Sequence, residues 1–303
     1  MEYMEYEQHL TPDMKKLLES AEFKPLFDRI MNDDELRFEI RKGSPIVYYL
    51  GCKIIEINSN RNKTLRLNVD YKYAKKTLKK SDNAESEYFE DRLQLLNNLN
   101  LNSSDFILWK EKLDEVKTFI YYYRNEVVLN CERQKQQKIA SANNDFAKDV
   151  VILDTEYAVR EKHCRKSKLC KVDMIGVCKN ENGSYDIVLI ELKVGDHSLN
   201  GAAGVEAHIK DFEKILGSRK EDIVKSVENI FQIKKDYRLL KNCPEKINIS
   251  KNFIAVVLAY GLEKRKEYYK REFMDNQSSS TSYKLKAVLM DNDTDILTKS
   301  DLL

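Results

Sequence analysis

The sequence lacks most of the features that mark a specialised class of protein. Its 303 residues hold 4 prolines, 9 glycines and a single tryptophan, too few turn formers for a linker-rich or fibrous chain. Long apolar runs are missing as well: the longest, Phe253 to Leu262, is about ten residues, well short of the roughly 20 that cross a bilayer. The first residues, MEYMEYEQHL, are acidic and polar where an export signal would be basic and then apolar. A cytoplasmic protein without membrane association is therefore expected. Neither charge prevails, since 52 Lys and Arg against 50 Asp and Glu leave +2, so a nucleic-acid surface would have to come from local clustering. The 6 cysteines include no C-x-x-C pair and read as reduced thiols. His163, Cys164, Cys170 and Cys178 match no zinc-knuckle spacing. A G-x-S-x-G elbow and a P-loop are both absent, which argues against a serine hydrolase of that type and against ATP-driven motion by this chain alone.

What the sequence does contain is the composition of a globule, 42% hydrophobic and 34% charged, long enough to bury a sizeable core. Short segments rich in aromatic and β-branched residues, Leu36 to Arg41, Pro45 to Leu50, Cys52 to Ile57 and Thr64 to Val69, are separated by turn signals and predict an antiparallel meander. Helical periodicity follows over Ala84 to Asn98 and from Ser104 to about Ala142, with Ser103-Ser104-Asp105 as a cap. Strands are then expected at Val150 to Val159, Lys171 to Val177 and Tyr185 to Val194. Helices follow at Val205 to Leu216 and Glu221 to Leu240, and strands at Phe253 to Tyr260 and Tyr283 to Met290. This order predicts an α/β (α+β) protein in two parts: residues 1–100, a β-meander with helices, and residues 101–303, a sandwich around a mixed sheet.

One constellation carries chemistry. In YDIVLIELK, alternation sets Ile187, Leu189, Glu191 and Lys193 on one face and Val188, Ile190 and Leu192 on the other. Both faces are apolar until the end, so the strand belongs in the middle of a sheet. In the preceding strand, KVDMIGV, Asp173 is expected to share a face with Ile175 and Val177, and Val172 to look the other way with Met174 and Gly176. A lone carboxylate in an apolar strand needs a partner. Asp173, Glu191 and Lys193 would converge with a charge near −1, a good seat for a hard divalent cation. The other Glu-x-Lys triplets, Glu22-Phe23-Lys24 and Glu115-Val116-Lys117, lack this setting.

Asp173 followed by Glu191-Leu192-Lys193 on the next strand resembles the PD-(D/E)xK nuclease superfamily, over roughly residues 125–261, with Val172 standing where the motif's name has proline. The resemblance implies a restriction-endonuclease-like core, a mixed four-stranded sheet flanked by helices. It also implies Mg²⁺ or Mn²⁺ dependence and hydrolysis of phosphodiester bonds in DNA, in phage defence or DNA processing. Asp173, Glu191 and the carbonyl of Leu192 would be metal ligands, and Lys193 would activate water. Such folds often add an acidic residue: Glu132 is favoured on the preceding helix, Glu126 is its neighbour there, and Glu156 on the first strand is the rival. Two alternatives remain in view, an inactive nuclease-fold protein that binds nucleic acid or a partner, and a ribonuclease. The N-terminal part is assigned to recognition, dimerisation or regulation, since an unrestrained nuclease would be toxic and calls for a regulatory partner or similar control.

Two further signals concern the substrate. Arg160 to Lys171, REKHCRKSKLCK, has six basic residues against one acidic, and Arg160, Lys162, Arg165, Lys166 and Lys168 suit a salt-dependent phosphate clamp. Gly201 and Gly204 precede a helix whose amides could receive a phosphate, with His208 and Asp211 on one face. Lys264 to Arg271 alternates its charges and reads as a solvated amphipathic segment.

Overall fold

A computed structural model describes residues 9–41, 43–59, 65–68, 83–101, 104–124, 132–160, 169–199, 204–274, 283–290 and 295–302. The chain forms two compact units, Met1–Lys135 and Gln136–Leu303. The division falls later than residue 100 because the helix after that point packs back onto the N-terminal part.

The N-terminal unit begins with two helices that the sequence reading did not assign. Helix α1 (Pro12–Leu18) starts with proline in its first turn and a Thr11 hydroxyl that accepts from the Met14 amide at 3.2 Å. Helix α2 spans Lys24–Met31. The meander is as expected: β1 (Leu36–Arg41), β2 (Ser44–Tyr49), β3 (Cys52–Ser59) and β4 (Leu65–Asn68) form an antiparallel sheet in sequence order. Leu50 and Gly51, with φ of 48° and 72°, make the two-residue turn between β2 and β3. Glycine is required at 51, where a Cβ would stand 2.5 Å from the Arg133 carbonyl carbon. Helix α3 covers Asn83–Leu101, and α4 covers Phe106–Tyr122, capped by Asp105, whose carboxylate accepts from the Leu108 amide at 2.9 Å. The apolar face of α4, including Trp109, Leu113 and Val116, is fully buried, and Phe106 meets Phe23 edge-on at 5.1 Å. Asp33 ties α2 to α4, accepting from Arg29 at 2.7 Å and Lys117 at 2.8 Å.

Helix α5 (Glu132–Ala142) leads into the C-terminal unit, whose sheet runs β5 (Val150–Arg160), β6 (Leu169–Lys179), β7 (Tyr185–Val194), β8 (Ile249–Tyr260) and β9 (Lys284–Met290). The five expected strands are present, so the sheet is mixed but not four-stranded: β9 extends it beyond β8. β5, β6 and β7 are antiparallel neighbours, while β8 lies parallel to both β7 and β9. The crossover from β7 to β8 carries helices α6 (Val205–Ser218) and α7 (Lys220–Asp236). Two apolar layers sandwich the sheet. On one side Ile175, Ile187 and Leu189 pack with Phe212, Ile215, Val227 and Ile230 of α6 and α7. Met174, Val188, Ile190 and Leu192 pack on the other side with Ile139 of α5 and with Leu297 and Leu302, the latter on the short helix α8 (Lys299–Leu302). Asn143 ends α5 and is fully buried, its amide donating to the carbonyls of Ile139 and Asp295 and accepting from the Leu297 amide, so no polar atom of that side chain is wasted. Among the described residues no helix is long and apolar enough to cross a membrane.

Candidate functional site

β7 is the middle strand of the five and is buried along nearly its whole length. Its faces divide as alternation requires: Ile187 and Leu189 lie toward α6 and α7, Val188, Ile190 and Leu192 toward α5. Glu191 and Lys193 continue the first of these faces at the end of the strand.

Here the regular ladder stops. Pairing between β6 and β7 ends at Met174 and Ile190, where continuing the register would put Asp173 opposite Glu191. The Asp173 carboxylate takes over the ladder's work, its Oδ2 accepting from the Leu192 amide at 2.7 Å. Alternation slips at the same point. Val172 was expected opposite Ile175 but packs in the same layer, with Met174 between them on the other side. The Gln136 side-chain amide of α5 donates to the backbone carbonyl of Asp173, which holds this residue from the other flank.

Glu191 and Lys193 form a buried ion pair, Nζ to Oε1 at 2.8 Å with side-chain exposures of 6% and 4%. Charges so far from water persist when paired and hydrogen-bonded. A second nitrogen completes the group: Nε2 of His208, in the first turn of α6, lies 3.0 Å from the same oxygen. His208 therefore turns toward Glu191, while Asp211, expected on its face, pairs with Lys214 at 3.6 Å.

The first strand contributes two more carboxylates. Glu156 falls between the pairs Thr155–Met174 and Tyr157–Val172, which places it opposite Asp173. Its φ is +52°, a conformation that costs a non-glycine residue about 1 kcal/mol or more and collects at functional sites. Asp154 escaped the sequence reading. It is 1% exposed and accepts from the Thr155 amide at 2.9 Å, on a strand whose register shifts just before it. The signal that marks Asp173, a carboxylate inside an apolar run, was present at Val150 to Leu153 as well.

Glu132 is the first residue of α5 and belongs to the N-terminal unit; Gln136, one turn on, makes the contact to Asp173 already described. Arg160 ends β5, paired with Leu169, but its side chain lies outside the described residues together with Glu126, Lys162, His163, Cys164, Arg165, Lys166, Lys168 and Gly201. Cys178 is a core residue of the α5 side, and its thiol is pushed up to about 11 by burial and by the charge of Asp186. Beyond β7, Gly195 adopts φ +74° and its amide bonds the Tyr260 carbonyl at 2.8 Å. Asp196 then accepts from the amides of Lys264 and Arg265 at 3.0 Å each, contacts that hold its carboxyl below the usual range. The loops that follow β7 and β8 are thus fastened together beside the Glu191 group.

The donors suit a hard cation in kind: two carboxylates, Asp173 and Glu191, with a backbone carbonyl between Glu191 and Lys193, where magnesium takes one or two carboxylates and fills its shell with water and phosphate. Among the described residues no three His, Cys, Asp or Glu side chains stand close enough together to hold a metal ion by themselves. No family model matches the chain, and comparison with curated proteins and with solved structures returned no match.

Proposed function

We propose that this chain is a divalent-metal-dependent nuclease that hydrolyses phosphodiester bonds of DNA. The observation that carries the reading is the buried Glu191–Lys193 pair at the end of the central strand, with the Asp173 carboxylate on the amide between them. The order of elements supports it: a helix, three antiparallel strands, helices and a parallel strand follow the core that the PD-(D/E)xK resemblance implies. Asp173, Glu191 and the Leu192 carbonyl would hold magnesium or manganese. The chemistry such an ion supplies is neutralisation of phosphoryl charge and acidification of water. Lys193 brings a compact cation to the same point. It can orient the attacking water and offset the negative charge that grows on the phosphorus oxygens.

The test is digestion of plasmid DNA, linear DNA and RNA by the full chain with Mg²⁺, Mn²⁺ or EDTA. DNA should be cut only with metal, and Lys193→Ala and Asp173→Asn should each lose about 100-fold or more in rate with far-UV circular dichroism unchanged. Variants that cut like the parent would overturn the site, and digestion of RNA alone would change the polymer.

A second reading, a nuclease-fold protein that binds nucleic acid or a partner without turnover, has one observation in its favour: Lys193 already balances the charge of Glu191 within the protein. Calorimetry with Mn²⁺ separates the two, because a scaffold has no need of the ion.

A further inference from the structure

Two nitrogens stand at one oxygen of Glu191, and they are mounted differently. Lys193 sits two residues along the same strand, at the end of a flexible four-carbon stem, and its Nζ is 2.8 Å from Oε1. His208 approaches the same atom to 3.0 Å from a helix seated in the core by Val205, Phe212, Ile215 and Leu216, all buried. Nε2 is the near atom, and from its helix the ring can act as a fixed clamp where Lys193, which donates to Oε1, is a movable one.

That difference matters to the chemistry assigned to Lys193. An ammonium that turns toward a water or a phosphate must loosen its hold on Oε1, and Glu191, 4% exposed, would be left as a buried carboxylate without a donor, which is strongly unfavourable. We infer that His208 is the positioning residue of this site: it keeps Oε1 occupied and the Glu191 carboxylate aimed while Lys193 is engaged with substrate, so that the second oxygen remains presented to a divalent cation. Groups that orient metal-ligating carboxylates from behind set affinity strongly. This inference rests on the nuclease reading and assigns a residue that the resemblance does not supply.

The experiment is Mn²⁺ titration calorimetry on the full chain, comparing the parent with His208→Ala, His208→Phe and His208→Gln, each checked by circular dichroism. Glutamine can reach Glu191 with a side-chain N–H; phenylalanine keeps a ring and removes the donor. Alanine and phenylalanine should weaken Mn²⁺ binding by about tenfold or more, and glutamine should restore most of it. If the alanine variant fails to fold, phenylalanine and glutamine make the comparison. A parent that binds Mn²⁺ with phenylalanine or alanine binding equally well overturns the role of His208 and leaves the metal site standing. Weak binding by glutamine and phenylalanine alike overturns the donor assignment. A parent that binds no Mn²⁺ removes the nuclease reading itself, and the role of His208 with it.

Discussion

Replacing Lys193 with methionine should destabilise the five-stranded sheet by about 2 kcal/mol, and adding Glu191→Gln should recover most of that loss. The stem of methionine retains most of the packing, so the change isolates the charge. Nζ and Oε1 are 2.8 Å apart in a setting where the side chains are 4% and 6% exposed, and breaking such a pair from one side costs about 3–5 kcal/mol. His208 stays 3.0 Å from the same oxygen, within reach of a hydrogen bond, which to a charged group is worth about 1.5–3 kcal/mol. The difference is the predicted loss. Glutamine at 191 removes the stranded charge, so the double substitution should be far milder than the sum of the two singles. Hydrogen exchange of the β7 amides across a denaturant series is the suitable assay, because Trp109, the one tryptophan, lies in the N-terminal unit and does not report this strand. A methionine variant as stable as the parent, or strictly additive effects, would refute the argument from a buried, coupled pair.

Gly176→Ala should destabilise by about 1–3 kcal/mol, since its Cβ would collide with the Val151 carbonyl oxygen, whereas Gly217→Ala on α6, with nothing within 4 Å, should stabilise by about 0.5–1 kcal/mol; thermal melts that fail to show opposite signs would contradict the packing. Burial alone would raise the carboxyl of Asp33, yet its bonds from Lys117 and Arg29 bring it below the usual value. Its stabilisation is therefore complete above the unfolded pKa of about 4 and is lost as pH falls through the lower folded value, so acid unfolding followed by Trp109 fluorescence should flatten in Asp33→Asn. Cys178, with its thiol near 11 and its side chain in the core, should resist alkylation at pH 8 until the protein unfolds, while half-buried Cys243 reacts first; labelling of Cys178 in the native state would show that the core there is open.

The strands were legible where burial dictates composition. β7 is apolar on both faces because helices cover both, and that alone located it at the centre of the sheet. Asp173 and Glu191 stood out because carboxylates are rare in such runs, and the same rule applied evenly would have found Asp154. Other features depend on long-range packing and leave no local mark. The left-handed backbone of Glu156 has no residue signature, since its neighbours are ordinary strand formers. The contact of His208 with Glu191 exists because α6 folds back over β7, which no spacing between positions 191 and 208 reveals. The division after Lys135 was hidden for a similar reason: the interval between α3 and α4 reads as a boundary, but α4 packs with α2. Helices α1 and α2 are short, and only Thr11-Pro12 announces the first of them.

The carboxylate of Asp173 stands in for a main-chain carbonyl where β6 and β7 part. Alanine at this position would therefore strand the amide of Leu192 as well as remove a charge, and a silent variant would not tell a lost ligand from a loosened seam. Asparagine keeps an oxygen for that amide. A chain with no reaction to perform could exchange Glu191 and Lys193 together for an uncharged pair yet would still be held to aspartate or asparagine at 173, because the strand junction needs that oxygen whatever the chemistry.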